Sequence, residues 1–274
     1  MTGGPRQRTL NAVAELAGVG LHTGENCRII IHPAESDTGR IFVAEGIEVA
    51  GSLANVHDTL RGTNLSCGGA IIHTVEHLLA ALSGLQVDNA RIEVFGPELP
   101  ACDGSALPFV ELIEGAGIVE QQAEARILEL SEPCWITNGD RYMPAFPGNG
   151  FQASAFISFA NPMIGEQAAS FRIDPDVFKR EIAPARTFCT SAEIEALLSQ
   201  GLGRGGRFDN VIVAYEDHFS TPLRYRDELV RHKILDLIGD LGLLGGRLSA
   251  SVVAIKSSHA LNTALAAKIW EKQQ

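Results

Sequence analysis

Two short stretches of the sequence carry side chains that could hold a metal ion. One is His73-x-x-Glu76-His77, at the start of a predicted helix, and the other is His232-x-x-x-Asp236, inside a longer predicted helix. Residues four apart share one face of a helix, so His232 and Asp236 can converge on one ion, with His77 as a third ligand. Two neutral imidazoles and one carboxylate, with the fourth position open to water, form the donor set of a catalytic zinc site.

Glu76 stands beside one of these ligands without having to be one. It could therefore accept a proton from a water molecule at the metal, as a general base does. The alternative for His232 and Asp236 is an exposed pair of side chains on a helix surface. The strongly apolar sequence around both stretches favours the metal site, because unpaired charge is costly to bury there. Fe²⁺ also suits two histidines and one carboxylate, so the choice between zinc and iron stays open.

The first stretch also permits a different enzyme. His73-x-x-Glu76-His77 matches the H-x-x-E-H pattern of inverted zincins, in which both histidines would be zinc ligands of a peptidase. Five residues are a weak signal, and this alternative leaves His232 and Asp236 without a purpose.

The elements that must position these side chains follow from the spacing of apolar residues. Helices are predicted over residues 74–82, 108–116, 191–199, 227–244 and 261–271. Strands are predicted over 28–32, 40–44, 91–95, 126–130, 134–137, 151–159, 210–214 and 248–255. Strands precede helices twice along the chain, which predicts an α+β fold of two halves with a similar plan.

We place the two predicted halves at residues 1–119 and 126–274. Between them, the polar stretch Glu-Gln-Gln-Ala-Glu-Ala at 120–125 is interpreted as a linker. The three candidate ligands come from both halves, so neither half alone can form the metal site. We therefore expect the site at the interface between the halves.

Composition excludes several classes of protein. The chain has 274 residues, of which 45% are hydrophobic and 20% charged, as in an ordinary globular protein. A net charge of −11 argues against nucleic acid as the main partner. The five cysteines are widely spaced and lack a C-x-x-C pair, which favours a reducing cytoplasm over a disulfide framework. We find no signal peptide and no stretch apolar enough to span a membrane.

Six blocks of sequence carry a resemblance to a known family. They are GVGLHTG at 18–24, TVEHLLAALSGLQVDNARIE at 74–93, DGSALPFV at 103–110, ARTF at 185–188, RHKILDLIGD at 231–240 and KSSHALN at 256–262. In these blocks, and in their order, the sequence resembles the UDP-3-O-acyl-N-acetylglucosamine deacetylases of lipid A synthesis. Two positions depart from the family pattern, since Ser258 stands where glycine is usual and Asn161 where histidine is common.

The resemblance implies a fold and a metal. The fold would be two similar two-layer α/β-sandwich domains packed together, with the active site at their interface. The cofactor would be Zn²⁺, held by the ligands His77, His232 and Asp236. Glu76 matches the family's general base, which agrees with the argument from its position beside His77.

The resemblance also implies roles for residues outside the ligand set. His259 matches a protonated general acid for the departing amine, and Asp240 matches the carboxylate that keeps this histidine charged and oriented. Thr187 and Lys233 match groups that stabilise the tetrahedral oxyanion together with zinc. His22 matches a histidine that lies near the site.

The implied reaction is hydrolysis of the 2-acetamido group of UDP-3-O-(hydroxyacyl)-N-acetylglucosamine to acetate and a free amine. An insert near 186–213 would wall an apolar passage for the acyl chain. Arg204 and Arg207 could contact the pyrophosphate or could lie on a solvated turn. We expect a cytoplasmic monomer, and the rival from another class is a non-catalytic paralogue that binds sugar nucleotide or lipid.

Overall fold

The computed structural model of the protein describes residues 4–273, so residues 1–3 and 274 of the two predicted halves lie outside the described residues. The strands are β1 (Arg6–Leu10), β2 (Ala14–Val19), β3 (Asn26–Pro33), β4 (Arg40–Ala44), β5 (Ile47–Ala50), β6 (Val56–Asp58), β7 (Asn64–Cys67), β8 (Ala70–Ile72), β9 (Ala90–Phe95), β10 (Ile118–Glu124), β11 (Ile127–Glu129), β12 (Cys134–Asn138), β13 (Arg141–Pro147), β14 (Phe151–Ser158), β15 (Glu166–Ile173), β16 (Phe188–Thr190), β17 (Ile212–Ala214) and β18 (Arg247–Ile255).

The α-helices are α1 (Glu76–Gly84), α2 (Leu107–Ala116), α3 (Pro175–Val177), α4 (Ile194–Ser199), α5 (Glu228–Leu241) and α6 (His259–Glu271). Short 3₁₀ turns cover Leu53–Asn55, Ser191–Glu193 and Gly242–Leu244, and a π-helical turn covers Phe178–Ile182. This mixture of helices and several sheets confirms the predicted α+β class.

Two large sheets organise the fold. The first has the strand order β2-β3-β9-β4-β5 and comes entirely from the first part of the chain. The second has the order β12-β13-β18-β14-β15, with β11 alongside β18. Alternate side chains of their inner strands, such as Ile29 and Ile31 in β3 and Ala153 and Ala155 in β14, belong to one hydrophobic core. Helices α5 and α6 pack on the second sheet.

Helices α1 and α5 pack closely against each other, and this contact joins the two parts of the chain. Gly239 permits it, because a Cβ atom at that position would lie 2.1 Å from the backbone oxygen of Glu76. The first turn of α1 is thereby placed directly against the last turn of α5. The crossing brings together the two helices that carry the candidate ligands.

The boundaries of these two helices follow local backbone geometry. α1 begins at Glu76 rather than at residue 74, because Thr74 has a left-handed φ of 59° that a helix cannot include. α5 ends at Leu241, and the 3₁₀ turn Gly242–Leu244 completes the predicted range 227–244.

The linker prediction is wrong. Residues 120–125 fall almost entirely within β10, which pairs antiparallel with β1. The two-stranded sheet leaves most β10 side chains exposed, so a strand there can be polar and resembles a linker in sequence. The division into halves at 1–119 and 126–274 stays a prediction. No helix among residues 4–273 is long and apolar enough to cross a membrane.

Candidate active site

The structure brings the three candidate metal ligands together. His77 lies in the first turn of α1, and His232 and Asp236 lie one turn apart on α5. Their ligand atoms all lie within 4.8 Å of one another, and all three residues are buried. The Oδ1 atom of Asp236 is 3.3 Å from Nε2 of His232 and 3.8 Å from Nε2 of His77. Within residues 4–273, this is the only such group of three or more potential ligands.

The donor set fits a cation. The Nδ1 atom of His232 lies 3.0 Å from the backbone oxygen of Ala185, which leaves Nε2 to face Asp236. The carboxylate of Asp236 accepts a hydrogen bond from Lys233 on Oδ2, at 2.8 Å. Its Oδ1 atom is buried without a hydrogen-bond partner, which is costly for a carboxylate oxygen. A divalent cation between the two imidazoles and this oxygen would satisfy it.

The protonation states of the ligands suit metal binding. Burial, together with the nearby His232, lowers the pKa of His77 to about 3, and burial also lowers the pKa of His232. Burial opposes ionisation of Asp236, but His232 and Lys233 hold the pKa of this carboxyl well below its usual range. At neutral pH the site therefore offers two neutral imidazoles and one carboxylate, which are the forms that bind a metal.

Glu76 is the first residue of α1 and is almost completely buried, with 2% of its surface exposed. Its Oε2 atom accepts a hydrogen bond of 2.9 Å from the backbone N–H of Thr63. Burial raises the pKa of Glu76 to about 7, with His259 opposing the rise and Asp240 and Asp236 adding to it. A carboxylate with such a pKa can accept a proton at neutral pH, as a general base must.

His259 and Asp240 form a buried pair beside the ligands. The Nδ1 atom of His259 lies 2.9 Å from Oδ2 of Asp240, which also accepts a hydrogen bond of 2.8 Å from Asn262. Burial lowers the pKa of His259, but the charge and the hydrogen bond of Asp240 outweigh it and raise the pKa to about 9. The histidine is therefore a cation at neutral pH and can donate a proton.

The serine before this histidine is well accommodated. Ser258 has a φ of −151° and caps α6, with its hydroxyl accepting a hydrogen bond from the N–H of Leu261. The left-handed residue of this loop is Lys256, with a φ of 52°. The departure from the family's usual glycine therefore carries no backbone strain at Ser258.

A cavity of about 910 Å³ opens onto the ligands. Seven of the predicted site residues line it: Glu76, His77, Thr187, His232, Lys233, Asp236 and His259. Asp240 is the exception, because it lies completely buried behind His259. Thr187 is held by its backbone, whose N–H donates to Gly104 and whose carbonyl accepts from Ile212.

One arm of the cavity is apolar. Strands β16 and β17 pair in parallel, and the chain between them forms α4 and a glycine-rich loop. The apolar residues that line this arm are Phe159, Phe188, Ile194, Leu197, Leu198, Phe208, Val211 and Val213. The segment near 186–213 thus has a strand-helix-strand form, with the apolar side of α4 turned toward the cavity.

Comparison with known proteins decides the family. The family model described as UDP-3-O-acyl N-acetylglycosamine deacetylase matches residues 7–271. The chain belongs to this family. It is 42% identical over 267 residues to the UDP-3-O-acyl-N-acetylglucosamine deacetylase of Anaeromyxobacter sp. strain Fw109-5, covering 96% of this chain and 88% of that protein. It is 40% identical over 274 residues to that of Chlamydia caviae, covering 98% of both.

Membership in the deacetylase family confirms several predictions. The family itself and the enzyme class, a hydrolase that acts as a deacetylase in lipid A biosynthesis, are as predicted. The peptidase alternative is wrong, because His73 precedes α1, pairs with Glu98 as an isolated β-bridge and lies outside the ligand group. An H-x-x-E-H site would need both histidines on one helix.

Three residues of the deacetylase site escape sequence reasoning. Thr63 and Asn262 both donate hydrogen bonds to Asp240, and the exposed Arg141 lines the cavity. Asn262 could be found from sequence, because it follows His259 by three residues and so shares its helix face. No local signal indicates the other two.

His22 and Asn161 both form hydrogen bonds that hold loops in place, and His22 also lines the cavity, near the site as expected. The Nε2 atom of His22 lies 3.1 Å from the backbone oxygen of Arg61, and its Nδ1 accepts a hydrogen bond from the N–H of Gly203. His22 therefore ties the loop at Arg61 to the glycine-rich loop after α4. Asn161 donates to the backbone oxygens of Ala214 and Tyr215, which fixes the end of β17.

Proposed function

We propose that the chain removes the 2-acetyl group of UDP-3-O-acyl-N-acetylglucosamine, with Zn²⁺ held by His77, His232 and Asp236. The observation that carries this proposal is the orphaned Oδ1 of Asp236, which faces two neutral imidazoles in a cavity shared with Glu76 and His259. When bound, zinc supplies a Lewis acid that polarises a carbonyl and acidifies water. The names of the relatives supply the substrate class.

Glu76 and His259 divide the proton transfers between them. Glu76 accepts the proton of the water that attacks the acetamide carbon, because its raised pKa makes it basic enough at neutral pH. His259 gives its proton to the departing nitrogen, and Asp240 keeps it charged until then. The products are acetate and a glucosamine with a free amine. Amide hydrolysis needs both steps, since the amine is a poor leaving group until it is protonated.

Lys233 and Thr187 stabilise the charge that develops on the oxygen of the acetamide. This oxygen gains negative charge when water adds to the carbon, so an ammonium and a hydroxyl aimed at it stabilise the transition state more than the substrate. Both residues line the cavity beside the ligands. The ammonium of Lys233 is also held within the site by Asp236.

The two ends of the substrate match the two kinds of cavity wall. The apolar arm beside α4 receives the acyl chain. Arg141 and Arg204 also line the cavity, and they supply local positive charge for the pyrophosphate in a chain whose net charge is −11. The other two arginines of the lining, Arg61 and Arg207, are paired with Glu193 and Asp209. We place the enzyme in the cytoplasm as a monomer, and the free state of all five cysteines supports a reducing compartment.

An acetate-release assay across acyl-chain lengths tests the proposal. Wild type should release acetate, whereas Glu76→Ala and His259→Ala should lose at least about a hundredfold in kcat. Comparable activity in all three proteins would refute the mechanism. A zinc-loaded wild type that releases no acetate would favour the non-catalytic paralogue. Reconstitution of the metal-free protein with Zn²⁺ or Fe²⁺ alone identifies the metal that supports activity.

A further inference from the structure

Thr63 lies between Glu76, the proposed base, and Asp240, the partner of the proposed acid, and it is completely buried. Its backbone N–H donates to Oε2 of Glu76 at 2.9 Å, and its hydroxyl donates to Oδ1 of Asp240 at 2.5 Å. Its carbonyl accepts a hydrogen bond of 3.0 Å from the N–H of Val75, just before α1. The N–H of Thr63 therefore contacts the proposed base Glu76, and its hydroxyl contacts Asp240, the partner of the proposed acid. Its carbonyl contacts the residue that precedes α1.

The hydroxyl of Thr63 completes the hydrogen bonding of Asp240. The other oxygen of this carboxylate, Oδ2, accepts from His259 and from Asn262. With donors on both oxygens, the carboxylate cannot rotate without breaking a buried charge-assisted hydrogen bond. Thr63 therefore helps to keep Oδ2 turned toward His259.

We propose that Thr63 is a positioning residue of the deacetylase, which fixes the Glu76 carboxylate and the Asp240–His259 pair relative to each other. The inference rests on the proposed function of Glu76 and His259. Thr63 and Asp240 are 177 residues apart in the chain, so this one residue ties the segment before β7 to α5. The positions of the base Glu76 and of the acid His259 thereby both depend on Thr63.

Loss of the hydroxyl should make His259 a weaker acid. Burial disfavours the cation of His259, while Asp240, Asp236 and Glu76 favour it. Without the Thr63 donor, the charged carboxylate of Asp240 loses one hydrogen bond, so its remaining hydrogen bond with His259 holds the proton of that histidine more tightly. A proton held more tightly is transferred more slowly to the departing amine.

The test compares variants that separate the hydroxyl from the shape of the side chain. Thr63→Val keeps the shape and the backbone N–H, and Thr63→Ser keeps the hydroxyl. Thr9→Val is the matched control, because Thr9 is buried and its hydroxyl accepts from Ala34 outside the site. Thr63→Ala repeats the test if the valine variant does not fold.

We expect Thr63→Val to lower kcat at least about tenfold with KM changed by less than about twofold. The alkaline limb of its pH profile should move upward by about half a unit or more. Thr63→Ser should stay within about threefold of wild type in kcat, and Thr9→Val should keep the wild-type kcat and pH profile.

Two outcomes distinguish failure of this inference from failure of the proposed function. If Thr63→Val matches wild type in kcat and pH profile while Glu76→Ala is inactive, the positioning role is overturned and the function stands. If wild type releases no acetate, the function fails, and the pKa of His259 measured by NMR decides the role of Thr63. Equal pKa values of His259 in wild type and Thr63→Val then overturn the positioning role of Thr63, and a higher pKa in the variant supports that role.

Discussion

The Nδ1 atom of His232 lies 3.0 Å from the backbone oxygen of Ala185, and this contact determines which nitrogen of the ring faces the metal site. The next residue, Arg186, anchors the segment by a buried ion pair with Glu228 in the first turn of α5. Glu228 is completely buried and also accepts a hydrogen bond from the N–H of Arg224. The orientation of His232, a candidate metal ligand, thus depends on an ion pair of Glu228, one helical turn away.

Breaking this ion pair should destabilise the protein strongly. Arg186→Met leaves the carboxylate of Glu228 buried without its partner, and we expect a loss of about 3–5 kcal/mol in the free energy of unfolding. Arg180→Met is the matched control, because Arg180 pairs with Glu181 at the surface, where such pairs contribute under about 1 kcal/mol. Denaturant unfolding of both variants measures the difference. Equal losses would contradict the structural role of the buried pair.

The zinc content of the protein should depend on the three candidate ligands and should not depend on His73, the first histidine of the H-x-x-E-H pattern. Asp236→Ala and His77→Ala should each retain less than about a tenth of an equivalent of zinc, because a donor is lost from a three-residue set. His73→Ala should bind about one equivalent, since His73 lies outside the group. Elemental analysis of the purified variants gives the answer. Loss of zinc in His73→Ala would restore the peptidase alternative.

The activity should have a bell-shaped pH profile. Glu76 must be ionised, so activity should rise as the pH passes through about 7, and His259 must be protonated, so activity should fall as the pH passes through about 9. Asp240→Asn removes the anion that favours the His259 cation, and its alkaline limb should move downward by about one unit or more. An unchanged limb in this variant would show that His259 is not the acid.

Acyl-chain selectivity should respond to the apolar arm of the cavity. Leu197→Trp adds bulk to the wall formed by α4, and each methylene group that it excludes should cost about 0.8 kcal/mol, or roughly fourfold in kcat/KM. Substrates with short acyl chains serve as the internal control, because they do not reach the added ring. A uniform decrease across all chain lengths would place the acyl chain elsewhere.

Sequence reasoning succeeds where the signal is local. The spacing of His232 and Asp236 predicts that they share one face of a helix, and the apolar sequence around them favours a metal site over an exposed pair. The helices that carry the ligands are found for the same reason, since apolar periodicity marks their buried faces. The roles of Glu76, His259, Lys233, Thr187 and Asp240 in catalysis stay predictions.

Sequence reasoning fails where a contact joins distant segments or where a strand lacks the usual composition. Nothing near Thr63 indicates that its hydroxyl meets Asp240, because the contact exists only after α1 and α5 have packed. Strand β13 contains Pro144 and Pro147, and prolines argue against a strand. The sequence therefore does not indicate that Arg141 begins a strand. Strand β10 also lacks the composition of a buried strand, because most of its residues are exposed and polar, and it therefore resembles a linker.

The three candidate metal ligands are widely separated along the chain, so they are synthesised at different times. His77 is translated early, whereas His232 and Asp236 come from α5, after most of the protein has been made. A ribosome that has not passed residue 236 carries a nascent chain with one of the three donors. If these three residues hold the metal as proposed, the complete donor set forms only after α5 has been synthesised, and a product that stops before α5 lacks two of the three donors.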